Sequence, residues 1–178
     1  MKCKILNPIL TIGFAALVLF TVNKGLNGIR TANARAEQIA IMRTLLPGST
    51  EFVTEPYSGD DANIRSVHKG ENGFVVETVT AGYAGDITML VGISSEGKVT
   101  GLVVRDLSET YGLGANALVD ADFLAQFLNT SGEAEVGTNV DALTGATVTS
   151  KAIARSVNSA AAFVTGADTS SGATSWGG

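Results

Sequence analysis

The chain has 178 residues, 45% of them hydrophobic, with 21 Gly and 3 Pro, a length that fits one domain and an appendage. Its net charge is −5 and its pI is near 4.8, and an acidic chain with no basic patch argues against nucleic acid as a partner. One Cys and one His rule out an internal disulfide framework and a Cys/His metal site, so any redox chemistry must come from a bound cofactor.

Ile5 to Val22 carries no charge, and a helix of that length spans about 27 Å, enough for the hydrocarbon core of a bilayer. The run is long for a signal peptide, and the nearest small-x-small site, Ala34-Arg-Ala36, lies more than ten residues downstream. Residues 1–24 are therefore expected to be an uncleaved transmembrane anchor. Basic residues stand on both sides, Lys2 and Lys4 before the run and Lys24, Arg30 and Arg35 after it, and the very short tail favours the amino terminus in the cytoplasm and the remainder outside. Cys3 follows no apolar signal and is read as a bystander thiol. From 25 to 48, Leu26, Ile29, Ala32, Ala36, Ile39, Ala40 and Leu46 recur at three- and four-residue steps, which predicts an amphipathic connecting helix ending at Pro47-Gly48. Its stripe is expected to pack on the domain, the alternative being a partner helix.

The domain is expected over residues 49–166. Residues 49 to 62 are polar and turn-rich. Ile64 to Val67 reads as a short strand, with His68 at its end, solvated and without a role. Phe74 to Thr80, Ile87 to Ile93 and Val99 to Arg105 read as strands by β-branched enrichment, the last two forming a hairpin across Ser94-Ser-Glu-Gly-Lys98. Ala115 to Leu128 reads as a helix with Leu118, Phe123, Phe127 and Leu128 on its apolar side. Val136 to Leu143 reads as a short, Gly-interrupted strand, and 150 to 164 as the final helix. Residues 167–178 form a Ser/Gly/Thr-rich tail. Strands with helices around them give an α+β fold: an antiparallel sheet with flanking helices on a single amino-terminal transmembrane helix.

The most informative stretch is Asp141-Ala-Leu-Thr-Gly-Ala-Thr-Val-Thr-Ser150, at the start of the final helix. Thr144, Thr147, Thr149 and Ser150 bring hydroxyls to a helix amino terminus, and Gly145 and Ala146 leave room for a close ligand. A helix start offers unpaired amides and a positive dipole end, which suit a phosphate. The alternative is an ordinary Ser/Thr N-cap. The stretch is not a P-loop, since no Gly-Lys-Ser/Thr ending is present.

Asp141-x-x-Thr144-Gly145-Ala146-Thr147 resembles the signature of the covalent-FMN-binding domain family. Gly82-Tyr-Ala-Gly85 and then Glu109-Thr-Tyr-Gly-Leu-Gly114 are similar to that family's two glycine-rich segments, in order and spacing. The likeness runs over residues 37 to 165 and is greatest to the G subunits of Rnf electron-transport complexes. The resemblance implies FMN esterified through the side-chain oxygen of Thr147, with Thr144, Gly145, Ala146, Thr149 and Ser150 around the phosphate. It places the flavin ring against Glu109, Thr110, Leu113 and Gly114. Tyr111 stands where relatives commonly have proline, and Arg105-Asp-Leu-Ser108 lacks a His that many carry.

The resemblance further implies an electron-transfer subunit of a complex coupling ferredoxin/NAD chemistry to ion translocation. It implies other membrane subunits as partners, the lipid bilayer of a bacterial cytoplasmic membrane, and a separate flavin transferase for maturation. It implies no catalytic side chain and no metal ligand in this chain. Asp168-Thr-Ser-Ser-Gly-Ala-Thr174 also fits the signature but has no helix behind it, so Thr147 is the expected attachment point. Two alternatives stay open from the residues alone: a stand-alone anchored flavoprotein feeding an extracellular reductase, and a non-enzymatic anchored binding domain.

Overall fold

Four consecutive segments rich in β-branched and apolar residues build most of the sheet. The structure is a computed structural model and describes residues 20–21, 31–107 and 120–166. Five strands, β1 (Val53–Glu55), β2 (Ile64–Lys69), β3 (Gly73–Ala81), β4 (Asp86–Ser94) and β5 (Val99–Leu107), form an antiparallel meander in sequence order. Among the described residues it is accompanied by α1 over residues 31–45, α2 (Ala121–Ala125) and α3 (Thr147–Thr165). The expected antiparallel sheet with flanking helices is therefore present.

The chain divides into two compact units, 1–40 and 41–178. Of the expected anchor over 1–24, all but Phe20 and Thr21 lies outside the described residues, as do Leu26, Ile29 and the 167–178 tail. Among the described residues no helix is long and apolar enough to cross a membrane.

In the second unit, Val76, Ile87, Met89, Val91, Ile93 and Val104 turn one face of the sheet toward Ile153, Val157, Ala160 and Ala161 of α3, all fully or nearly fully buried. Small residues on α3 let its backbone approach the sheet, and a line of hydroxyls fixes its position. Thr80 Oγ1 donates to the carbonyl of Ala152 (3.1 Å) and lies 2.9 Å from Ser156 Oγ, and Asn63 Nδ2 donates to Ser159 Oγ (3.2 Å). Phe163 packs edge-on against Phe74 and Tyr57. The other face of the sheet takes the end of α1. Thr100 Oγ1 donates to the carbonyl of Leu45 (2.6 Å), and Leu45 lies directly over Gly92 and Gly101.

Several elements differ from the sequence expectation. β1 arises inside the stretch read as turns, because Val53 and Thr54 pair with Lys69 and His68 at the sheet edge. Val136 to Leu143 is not a strand: Gly137, at φ +91, turns the chain so that only an isolated bridge, Val136 to Val140, forms. α2 is shorter than expected. Asp120 is its N-cap, accepting from the Phe123 amide (2.9 Å), and Leu128 is 42% exposed rather than on the apolar side. Residues 115–119 of the expected helix lie outside the described residues.

His68 is not solvated. It lies within β2 and is 6% exposed, with Nδ1 3.0 Å from Thr54 Oγ1 and Nε2 3.3 Å from Ser66 Oγ. Ser66 donates to Glu77 Oε2 (2.8 Å), so it accepts from the His68 Nε2–H, and Thr54 donates to Nδ1. Burial pushes the His68 pKa below its ordinary value, and the Glu77 carboxylate partly offsets this. The folded state therefore takes up the proton later than the unfolded chain. Stability is full above the ordinary imidazole pKa of about 6.5 and falls as pH drops below it toward the folded pKa. Thermal unfolding across pH 7.5 to 5 is expected to show a falling midpoint that the His68→Gln variant flattens. Gly92→Ala tests the other contact: its Cβ would meet the Leu45 carbonyl, so about 1–3 kcal/mol of stability should be lost in urea unfolding.

Candidate functional site

The register of the sheet brings three chain segments to one end. Ala81 pairs with Asp86 and Ile87 with Leu107, so the Gly82–Gly85 turn and the exit from β5 lie side by side. The turn is closed by the Gly82 amide donating to the Gly85 carbonyl (2.8 Å), and Tyr83 at its tip is 73% exposed. α3 runs antiparallel to β3, with Ala152 and Ser156 at Thr80 and Phe163 at Phe74, so the amino terminus of α3 lies over this same end. Glu109, Thr110, Leu113 and Gly114, expected against the flavin ring, lie outside the described residues but follow Leu107 here.

The helix begins three residues earlier than the sequence suggests. Thr147 is its first residue and is exposed. The N-cap is Ala146, and no side chain caps the helix, so the Ser/Thr-cap alternative is not what this start does. The first amide to bond back along the helix is that of Ser150, to the Ala146 carbonyl (2.9 Å). Among the described residues, nothing accepts from the amides of Thr147, Val148 and Thr149. Gly145 adopts φ +74, a conformation that disfavours side chains, in a tight turn in which the Ala146 amide donates to the Leu143 carbonyl (3.0 Å).

The expected phosphate residues fall into two groups. Thr144, Gly145 and Thr147 form the exposed lip. Thr149 and Ser150 are buried, at 1% and 0% exposure, and Ala146 is buried beneath the turn. Ser150 Oγ accepts from the Leu143 amide (3.0 Å) and donates to the Ala146 carbonyl (2.9 Å), so its hydroxyl fastens the loop to the helix from inside. The sequence carries a trace of this, since Ser150 stands four residues after Ala146, the spacing at which a serine bonds back to a helical carbonyl. Gln126 carries no such signal. Just beyond α2, its Oε1 accepts from the Asp141 amide (2.7 Å) and its Nε2 donates to the Asp141 carbonyl (3.4 Å), which holds the start of the motif.

The chain's single histidine takes no part. His68 pairs opposite Val75, five residues and so roughly 17 Å along β3 from Thr80. Val67 faces α3, which leaves His68 on the other face of the sheet. A groove of about 390 Å³ lined by Glu55, Pro56, Tyr57, Ser58, Gly59, Val67 and Phe163 is also remote. Phe163 is sixteen residues, about 24 Å, along α3 from Thr147. Among the described residues no cluster of His, Cys, Asp or Glu could hold a metal ion.

A family model described as FMN-binding domain matches residues 82–162, from the Gly82–Gly85 turn into α3. The match thus spans both glycine-rich segments, β4, β5 and the Thr147 loop. The G subunit of an ion-translocating oxidoreductase complex from Methanosarcina acetivorans is 33% identical over 166 residues, 84% of this chain and 86% of the relative. The chain belongs to this family of G subunits. A member from Acetobacterium woodii, named for a Na(+)-translocating ferredoxin:NAD(+) oxidoreductase complex, is 39% identical over 48% of this chain and 46% of its own. One from Clostridium ljungdahlii, named for a proton-translocating complex of the same kind, is 38% identical over 52% and 53%.

The exposed lip fits the phosphate of FMN by its donor chemistry: amides without acceptors, a free hydroxyl and no side chain at Gly145. That fit depends on the fastening beneath it. Ser150→Ala leaves the buried Leu143 amide without its acceptor and should cost about 1–3 kcal/mol in chemical denaturation.

Proposed function

We propose that this chain is the FMN-carrying electron-transfer subunit of a membrane-bound Rnf-type complex, which couples ferredoxin/NAD electron transfer to ion translocation. The FMN is held as a phosphoester on the Thr147 side-chain oxygen. The observation that carries this reading is the uncapped start of α3 with Thr147 exposed at its first position, inside a matched FMN-binding domain. FMN supplies electron chemistry that side chains lack. The amides of Thr147 and Val148 bind phosphate oxygens, Gly145 leaves the approach open, and the Ser150 and Gln126 contacts keep the loop in place.

No histidine lies at Thr147 to act as the base for its modification, because His68, the one histidine of the chain, is distant and on the other face of the sheet. A separate transferase supplies it. The Thr147 oxygen forms a bond to the FMN phosphorus of FAD, the pyrophosphate bond breaks, AMP leaves, and the hydroxyl proton passes to the transferase. Residues 1–24 hold the chain as a single span, amino terminus in the cytoplasm and FMN domain outside, beside the other membrane subunits. The ester keeps the cofactor from being lost there. The relatives named for sodium and for protons match at 39% and 38%, so the likeness favours neither ion.

The reading predicts a clear substitution pattern. Thr147→Val, co-expressed with a flavin transferase, should carry no flavin fluorescence after denaturing electrophoresis, and Thr174→Val should label as the unaltered chain does. Retained fluorescence in Thr147→Val would exclude Thr147 as the attachment residue.

A further inference from the structure

α3 breaks the usual charge rule of a helix. Acidic side chains favour the first turns, where the dipole end is positive, and cations favour the last. α3 has no acidic residue at all, and its two charged residues, Lys151 and Arg155, are cations in its first half. Its last turn has no basic residue. With no side-chain cap, the helix start adds its own positive end to both charges. Neither residue has an ion-pair partner among the described residues, where the salt bridge is Lys69 to Glu55. Arg155 Nε is buried and donates to nothing.

The two cations are not scattered. Thr147, Lys151 and Arg155 follow one another at steps of four, on the face of α3 that is not packed on the sheet. Residues at this spacing have Cβ atoms roughly 6 Å apart, and helical side chains lean toward the amino terminus. Lys151 is exposed, and helix geometry directs its stem over the turn that holds Thr147. In a chain of net charge −5, this brings positive charge toward one hydroxyl with no ion-pair partner for it among the described residues.

We propose that Lys151 is the counter-charge of the phosphate carried on Thr147, a positioning residue that offsets the negative charge of the phosphoester and holds it at the helix start. The proposal rests on the reading of Thr147 as the FMN ester. Lys151 is then unfavourable for the unmodified protein and favourable once the phosphate is in place. A residue that merely supports the fold would not change sign in this way.

The test uses the full chain in detergent, produced with and without a flavin transferase, as the unaltered protein, Lys151→Gln and Lys151→Arg. Denaturation-resistant flavin on the unaltered chain, lost in Thr147→Val, first establishes the site; its absence overturns the site reading and this proposal together. The readout is the rise in thermal midpoint caused by flavin attachment, at low and high salt. That rise should fall to about half or less in Lys151→Gln, the scale of one charge near a helix end, and return in Lys151→Arg. The difference should shrink in high salt. Unmodified Lys151→Gln should be at least as stable as the unmodified parent. An equal rise in both proteins, or an unmodified Lys151→Gln less stable than its parent, would overturn the role of Lys151 while leaving Thr147 as the attachment point.

Discussion

The seating of α3 on the sheet is the constraint from which the rest of the domain follows. Its inner face is nearly all small or β-branched: Ala152, Ile153, Ser156, Val157, Ser159, Ala160 and Ala161 are buried. Apolar burial supplies the attraction, but it is non-directional and would tolerate sliding along the strands. The hydroxyls remove that freedom. Thr80 meets Ala152 and Ser156 at one place, Asn63 meets Ser159 at another, and a shift by one residue would leave these buried polar groups unpaired. The helix start is thereby aimed at the end of the sheet where the Gly82–Gly85 turn closes and β5 ends.

The loop before α3 is held from below and left open above. Ser150 and Leu143 are buried and bonded to each other, Gln126 grips the backbone of Asp141, and Gly145 supplies the left-handed turn. All of this rigidity serves to place Thr147 and the uncapped helix start at the surface. An ordinary helix start would turn a Ser or Asp side chain onto those amides; here Ala146 stands at the cap position and cannot. Natural sequences break such local rules chiefly at functional sites. The missing cap and the cations of its first half are the two breaks in α3, and Ala146 and Lys151 lie on either side of Thr147.

Much of this was legible in the residues. The strands β3 to β5 follow from β-branched enrichment, and the hairpin across Ser94 to Lys98 has Gly97 at the position with φ +82. Gly145 takes the left-handed turn and Thr147 begins α3. The failures have physical causes. His68 beside Lys69-Gly70 looks like a turn residue, but pairing with β1 buries it, and β1 is too short to be seen before its partner is known. Val136 to Leu143 has strand-like residues around Gly137, whose positive φ ends any extension. Ser150 and Thr149 were read with the exposed hydroxyls because sequence shows that residues are near a helix start, not which way the helix rolls. Burial of Ile153 and Val157 fixes that roll, turning Thr149 and Ser150 inward and Thr147 and Lys151 out.

The account turns on one bond, and peptide mass spectrometry of the chain purified from its native membrane examines it directly. After denaturation and digestion, the account predicts that the peptide containing Thr147 carries the added mass of an FMN phosphoester, with fragment ions placing it on that threonine. A Thr147 peptide of unmodified mass, from cells that possess a flavin transferase, would contradict it.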